Sequence, residues 1–258
     1  MPPSGEPSPE SLTIVLPAFE EAGRIGPALD ELFGYLDATQ PPSGLPARVD
    51  VLVVDDGSRD GTASIVEARP EASDRAPARL RVLQVPHAGK GAAVRTGMLL
   101  AQGDLVVFAD ADMATPPDQL PRLVAALARA DVAVGSRIQP DGSDMRSTQP
   151  GLRRLLGRAF HAIASVWVVG PVEDTQCGFK GFTRAAARDL FARQRITSIV
   201  FDVELIHLAR RRGYRLAIVP IQWADRRGSR MKARPGLALR VAWDLFRIPL
   251  LHRGLRNA

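Results

Sequence analysis

The stretch Leu105-Val106-Val107-Phe108-Ala109-Asp110-Ala111-Asp112 sets five apolar residues, rich in β-formers, against two carboxylates two residues apart. An unbroken apolar run of this length reads as a strand buried on both faces, because a half-exposed strand alternates apolar and polar side chains. Two carboxylates at the end of such a strand require a cation to offset their desolvation. If the chain stays extended, residues two apart project to the same side, so Asp110 and Asp112 can converge on one ion. All-oxygen ligation suits Mg²⁺ or Mn²⁺, with substrate phosphates completing the shell. The alternative is a strand end with two solvated acids in an Asp-rich turn.

Other segments carry chemistry of the same kind. Asp55-Asp56-Gly57-Ser58 closes a β-branched run, where a carboxylate can accept from a base N–H or a ribose hydroxyl, or can form an Asx-type turn into a capped helix. His87-Ala88-Gly89-Lys90-Gly91 offers backbone N–H groups and one lysine to phosphates at a helix N-terminus. It lacks the spacing of a P-loop, and taken alone it reads as a flexible turn. Gly135-Ser136-Arg137 brings a guanidinium to a strand end, as a phosphate contact or as an unpaired surface arginine. Asp174-Thr175-Gln176-Cys177-Gly178-Phe179-Lys180 combines an acid, an amide and a lysine in a glycine-bearing turn. Within it Cys177 reads as a small buried hydrophobe rather than a nucleophile, since no histidine stands near it in sequence. Phe201-Asp202-Val203-Glu204 puts two acids at the start of a helix, where dipole compensation accounts for them. Residues 237–255 interleave Trp243, Phe246, Ile248 and Leu250 with Arg240, Arg247 and Arg253, and Arg256 follows. They form either an interfacial helix on anionic lipid or a terminal helix docked on the core, broken or kinked at Pro249.

The elements that must position these residues follow from periodicity. Buried strands are expected at 12–17, 49–54, 80–85, 105–109, 132–135 and 216–221. Helices are expected at 24–36, from an N-cap at Asp60 to 67, from the 89–91 glycine turn to 100, at 120–130, at 152–169 and at 201–212. Loops are expected at 39–48 and 138–151. Strands of continuous apolar residues alternating with helices imply an α/β fold with a mostly parallel, doubly wound sheet flanked by helices. Ligands bind such sheets at the carboxyl ends of the strands near the switch point, where both acidic strand ends lie.

Composition narrows the partners. The chain has 258 residues, with 34 Lys+Arg against 28 Asp+Glu for a formal charge of +6. The excess is arginine, which suits phosphate, carboxylate or an anionic membrane surface. No compact basic run with interleaved aromatics points to nucleic acid. A single cysteine excludes an intrachain disulfide framework and a cysteine-based zinc site. Residues 1–10 read as a disordered lead without the character of a signal peptide, and no run of about eighteen apolar residues occurs. A cytoplasmic protein, at most peripheral on the cytoplasmic membrane face, is expected.

In order, Leu16-Pro17-Ala18-Phe19-Glu20-Glu21, Val53-Val54-Asp55-Asp56-Gly57-Ser58, Gly89-Lys90-Gly91, Asp110-Ala111-Asp112 and Gly135-Ser136-Arg137 resemble the family 2 glycosyltransferases of the GT-A fold. Within that family the similarity is to dolichyl-phosphate β-glucosyltransferases and other polyprenyl-phosphate glycosyltransferases. It is carried further by residues 89–98, 108–116 and 174–180 and by Phe201-Asp202-Val203-Glu204-Leu205. It spans about 11–225, leaving 226–258 as a basic amphipathic segment. The resemblance implies inverting transfer of a hexose, glucose from UDP-glucose, to a polyprenyl or dolichyl phosphate with Mg²⁺ or Mn²⁺. It implies that Pro17, Phe19 and Glu21 line the nucleotide site and that Asp55 or Asp56 holds the base. It places Lys90, Asp110 and Ala111 on the sugar nucleotide, Asp112 and Asp110 on the metal, and Arg137 on phosphate. Arg146, Arg153 and Lys180 are candidates to steady an anionic acceptor, and Asp174 is the choice if a base is used.

Departures from the family pattern have consequences of their own. Phe19-Glu20 replaces the usual Tyr-Asn. Ala114 stands where the lipid-phosphate mannosyltransferases place a glutamine metal ligand, which argues against GDP-mannose and leaves water or substrate oxygens to complete the shell. The resemblance to the eukaryotic glucosyltransferases would bring an N-terminal membrane anchor, which is not expected from residues 1–10. Either the basic C-terminal segment replaces it, or the acceptor is soluble.

Overall fold

A computed structural model describes residues 9–38, 44–73, 79–145, 168, 172, 174–224, 226 and 235–255. Most of the expected lead, most of the 39–48 loop, the helix over 152–169 apart from Val168, and Arg146, Arg153 and Arg256 lie outside the described residues.

Strands β1 (Ser11–Ala18), β2 (Arg48–Asp55), β3 (Arg79–Gln84), β4 (Leu105–Ala109), β5 (Val132–Ser136), β6 (Phe179–Thr183) and β7 (Leu216–Pro220) form one sheet. Its order is β3-β2-β1-β4-β6-β5-β7. Every pairing is parallel except those of β6, which runs antiparallel between β4 and β5. The chain winds outward from β1 through β2 to β3 and then returns to β4 on the other side, so the switch point falls between β1 and β4.

Period-two alternation sends Leu12, Ile14 and Leu16 to one face and Val15 to the other. The first face is covered by α1 (Ile25–Ala38), α2 (Thr62–Glu67) and α4 (Leu120–Leu127), through Leu29, Leu32, Val66 and Leu123. The second face is covered by α3 (Lys90–Leu100), α5 (Arg184–Arg193), α6 (Phe201–Arg211) and α7 (Pro235–Leu251), through Val94, Leu190, Phe201 and Ile248. Continuous apolar strands are what two covered faces demand.

Two elements go beyond the sequence reading. Phe179-Lys180-Gly181-Phe182-Thr183 carries a lysine and a glycine where a buried strand would be apolar, and its first two residues belong to the turn expected over 174–180, yet it is the interior strand β6. Helix α5 follows directly, capped by Thr183 Oγ1, which accepts from Ala186 N at 3.3 Å. Its buried Ala186, Ala187, Leu190 and Phe191 do have helical spacing. The expected cap at Asp60 shifts by one residue. Gly61, with φ +87°, precedes α2, while Asp60 accepts from Thr62 N at 3.1 Å and from Ala22 N at 3.0 Å. Of the break or kink expected at Pro249, the break does not occur: Pro249 lies inside α7, which runs on to Leu251. Between the two alternatives for this segment, α7 docks on the core through Leu245 and Ile248, while Trp243 and Phe246 stay exposed.

Helix α3 can approach β1 and β2 only because residue 97 is glycine. A Cβ there would lie 2.4 Å from Val15 Cγ1 and 2.9 Å from Val54 Cγ2. Helix propensity would favour alanine by about 1 kcal/mol, but overpacking against two β-branched side chains costs about 1–3 kcal/mol. Gly97→Ala should therefore destabilise the protein by up to about 2 kcal/mol in urea denaturation, the overpacking term winning.

Candidate active site

Three strand ends and the loops that follow them meet at the switch point. Pro17 and Ala18 close β1 in register with Val54 and Asp55 of β2. Their loops are laced together: Glu20 N donates to Ser58 Oγ at 2.8 Å, Glu21 N donates to Thr62 Oγ1 at 2.9 Å, and Ser58 Oγ donates to Asp55 Oδ1. Glu20 adopts φ +56° within this lacing. Phe19, 42% exposed, stacks on His87 with ring centroids 4.2 Å apart. The Glu21 carboxylate is held by Arg24 Nε at 2.5 Å.

Asp56 is buried, and both its oxygens are engaged by the loop after β3. Ala88 N donates at 2.8 Å and Gly89 N at 3.0 Å, while His87 Nδ1 bonds to Asp56 O at 3.1 Å and lies 2.8 Å from Oδ2. Asp56, one of the two acids expected to hold the base, fixes the loop that leads into Lys90. Asp55 Oδ1 is engaged by Ser58 in the turn that the sequence offered as the alternative.

At the end of β4 the chain does not stay extended. It turns after Ala109, Met113 takes φ +49°, and Asp112 Oδ1 accepts from Ala114 N at 3.1 Å. Asp110 and Asp112 therefore meet through a turn rather than through strand alternation. They feel each other: burial, then the Asp110 charge, push the Asp112 carboxyl above its ordinary range. Asp110 Oδ1 accepts from Lys90 Nζ at 2.5 Å, and Asp110 N donates to Gly178 O at 3.0 Å. Residue 178 must lack a side chain, since a Cβ would lie 2.2 Å from Asp110 Oδ2. Burial opposes the charge on Lys90, but the carboxylates of Asp110, Asp202 and Asp112 outweigh it and hold the ammonium above its usual range.

Behind Lys90 stands a second pair. Lys180, wholly buried on β6, donates to Cys177 O at 2.5 Å and to Asp202 Oδ1 at 2.6 Å, with Nζ 5.5 Å from the Phe108 ring centroid. Burial pushes the Asp202 carboxyl up, against the pull of Lys180 and then Lys90. Lys180, Asp202, Lys90, Asp110 and Asp112 thus form a ladder of alternating sign, running from the core to the surface and ending in two acids. This corrects the placement of Lys180 on an acceptor phosphate, because its ammonium is spent inside the protein. Asp202, read only as a dipole partner, is the residue that makes β6 possible.

Arg137, after β5, grips Asp174 with Nε at 2.7 Å and Nη2 at 2.6 Å, and its guanidinium carbon lies 5.5 Å from the Trp223 ring centroid. Burial opposes its charge, but the Asp174 carboxylate outweighs burial and keeps the guanidinium firmly protonated. Asp174 is buried in this bidentate pair, an arrangement that corrects its candidacy as a base. Burial, then Asp174, push the Cys177 thiol up to about 12, which keeps it a hydrophobe as expected. Arg24, through Glu21, and Trp223, through Arg137, join the site without a local sequence signal.

A divalent cation fits the outer end of the ladder. Two carboxylates share one lysine there, all candidate donors are oxygen, and the Asp112 charge is undercompensated. Among the described residues no group of three His, Cys, Asp or Glu side chains could hold a metal by itself. Ala114 is buried and supplies no ligand oxygen from its side chain.

Comparison with known proteins bears on this arrangement. A family model described as "Glycosyl transferase family 2" matches residues 13–191. The chain is 38% identical over 256 residues to a protein of Trichomonas vaginalis named dolichyl-phosphate beta-glucosyltransferase ALG5C, covering 96% of this chain and 73% of that one. It is 37% identical over 257 residues to the Drosophila melanogaster dolichyl-phosphate beta-glucosyltransferase, covering 95% and 77%. Among solved structures, glucosyl-3-phosphoglycerate synthase from Mycobacterium tuberculosis with Mn²⁺, UDP and glucosyl-3-phosphoglycerate aligns with a TM-score of 0.61 at 21% identity, over 96% of this chain and 82% of that chain. A mannosyltransferase from Pyrobaculum calidifontis with GDP-Man and Mn²⁺ aligns with a TM-score of 0.55 at 20% identity, over 94% and 70%. These two establish the GT-A fold.

The ladder makes a stability prediction of its own. Asp202→Ala strands the Lys180 ammonium and should cost about 3–5 kcal/mol in urea denaturation. The double variant Lys180→Met with Asp202→Leu should recover most of that loss, since an apolar pair of similar volume needs no partner.

Proposed function

This chain belongs to glycosyl transferase family 2, and from that membership we propose that it transfers glucose, with inversion, from UDP-glucose to a polyprenyl phosphate of the dolichyl type. The observation that carries the proposal is the charge ladder ending at Asp110 and Asp112, in a chain 30–38% identical to relatives so named over most of its length. The nucleotide lies along Pro17, Phe19, Glu21 and Asp55, where the Phe19–His87 stack offers an exposed ring surface to a base. Lys90, Asp110 and the backbone at Ala111 face the diphosphate and sugar.

Asp112, with Asp110, is the site for Mg²⁺ or Mn²⁺, and a divalent ion there supplies charge stabilisation for the departing nucleoside diphosphate. Lys90 adds a fixed positive charge beside it, preorganised by Asp110 and Asp202. The acceptor phosphate oxygen attacks the anomeric carbon as the bond to the diphosphate breaks. That oxygen carries no proton to remove, which suits a site whose one base candidate, Asp174, is locked to Arg137. Arg137 stands where its field reaches Asp110, and it contributes positive potential to the same cleft.

The outer face of α7 supports a membrane-surface location. Trp243 and Phe246, 62% and 49% exposed, stack at 6.1 Å, flanked by Arg240, Arg247 and Arg253. Among the described residues no helix is long and apolar enough to cross a membrane. An aromatic pair edged with arginine matches an anionic lipid surface.

Incubation with UDP-glucose, Mg²⁺ or Mn²⁺ and a short polyprenyl phosphate should yield the glucosylated lipid, and turnover only with a soluble acceptor would overturn the proposal. Asp112→Ala should lower transfer by at least about 10²-fold and remove metal-dependent donor binding. Co-sedimentation with anionic vesicles should fall steeply between low and high salt, and Trp243→Ser with Phe246→Ser should abolish it at either.

A further inference from the structure

The first turn of α6 carries two acids, and only Asp202 belongs to the ladder. Glu204 is two residues on, about 200° around the helix, and is wholly buried. A dipole partner would remain solvated at the helix end. Glu204 instead accepts from Arg195 N at 2.9 Å and His252 Nε2 at 2.7 Å on Oε1, and from Ile196 N at 2.8 Å on Oε2. The residues it holds lie beside those that hold the start of α3. Thr197 O accepts from Gly91 N at 2.9 Å, and Gln194 Nε2 donates to Gly91 O at 2.9 Å and Ile196 O at 2.8 Å. The loop presses on this turn so closely that a Cβ at Gly91 would lie 2.9 Å from Thr197 O and from Phe201 Cβ. Gly91 is the neighbour of Lys90.

We propose that Glu204 is a positioning residue for the donor diphosphate, fixing the 194–197 loop that sets the first turn of α3 and with it Lys90. The proposal rests on the reading that Lys90 faces that diphosphate. His252 extends the clamp beyond the last turn of α7, so the helix bearing the exposed aromatic pair is tied through one carboxylate to the donor site. The Glu204–His252 bond has a defined direction, because a carboxylate only accepts and Nε2 must donate.

Glu204→Gln keeps the volume but turns an NH₂ group toward a backbone N–H that needs an acceptor. Because Lys90 holds the diphosphate in the ground state and steadies the charge that grows on it as it leaves, the donor KM should rise about tenfold, kcat should fall as well, and acceptor KM should stay unchanged. Binding of UDP by calorimetry should weaken by the same factor. His252→Ala should shift donor KM in the same direction by less, and His252→Gln, whose amide can donate, should restore it. Ile248→Ala, on the same helix and buried among apolar residues, is the control for loss of stability. It should lower Tm and leave donor KM at the wild-type value. Equal donor KM in wild type, Glu204→Gln and His252→Ala would overturn the proposal, as would an equal rise in Ile248→Ala. Should Glu204→Gln fail to fold, the two His252 variants decide alone. Lys90→Ala separates the premise: if it binds UDP as wild type does, the reading of Lys90 falls and the proposal with it. If it binds weakly while Glu204→Gln is normal, only the positioning role falls.

Discussion

A charge carried into the middle of a sheet must bring its counter-charge with it, and that requirement organises this molecule. Lys180 sits on an interior strand with no exposure to solvent, so Asp202 must be there, so the first turn of α6 must lie against β6. An isolated buried ammonium would cost several kcal/mol. Once Asp202 is present, Lys90 is drawn to its far side, and Asp110 to Lys90. The surface end of this series is two acids with too little positive charge between them. Interior pairing and the affinity of the site for a cation are thus one electrostatic arrangement seen from two ends.

The choice of lysine here is itself informative. In a chain whose positive charge is overwhelmingly arginine, lysine occurs at 90, 180 and 232. Two of these occupy the ladder. An ammonium is a compact point charge that can sit between a carbonyl and a carboxylate over the Phe108 ring, whereas a planar guanidinium needs room for a fork of donors. Arg137, at the less enclosed edge, has that room and uses the fork on Asp174.

Much of this was legible in the sequence where local physics decides. The β-branched runs before Asp55 and Asp110 could only be buried strands, and an α/β alternation puts their ends on one side. The acids were therefore placed correctly as a group. What was hidden depended on contacts between distant elements. Lys180 and Gly181 disguised β6 as a turn because the partner that permits burial lies on another helix. Asp202 and Glu204 look alike in sequence, and their opposite directions have meaning only once β6 is on one side of α6 and the 194–197 loop on the other. Asp174 offered a free base in sequence and is a bound counter-ion in space. Asp56, offered with Asp55 as a ligand for a nucleobase, holds residues 88 and 89, a tie that the sequence does not show.

The antiparallel strand has a further consequence, in the order in which the chain can fold. Strands β3, β2, β1 and β4 can assemble from the first part of the chain, but β4 and β5 are not neighbours in the sheet. A nascent chain that ends at Ser136 holds two strands, each missing the partner that stands between them. Open strand edges recruit other chains, and pairings of high sequence separation form slowly. Arrival of residues 179–183 closes the facing edges of β4 and β5 in one step and seats a lysine that is tolerable only if α6 follows. Ribosomal release of the β6–α6 segment therefore closes the gap within the sheet, and the last open edge of β5 is covered only when β7 follows.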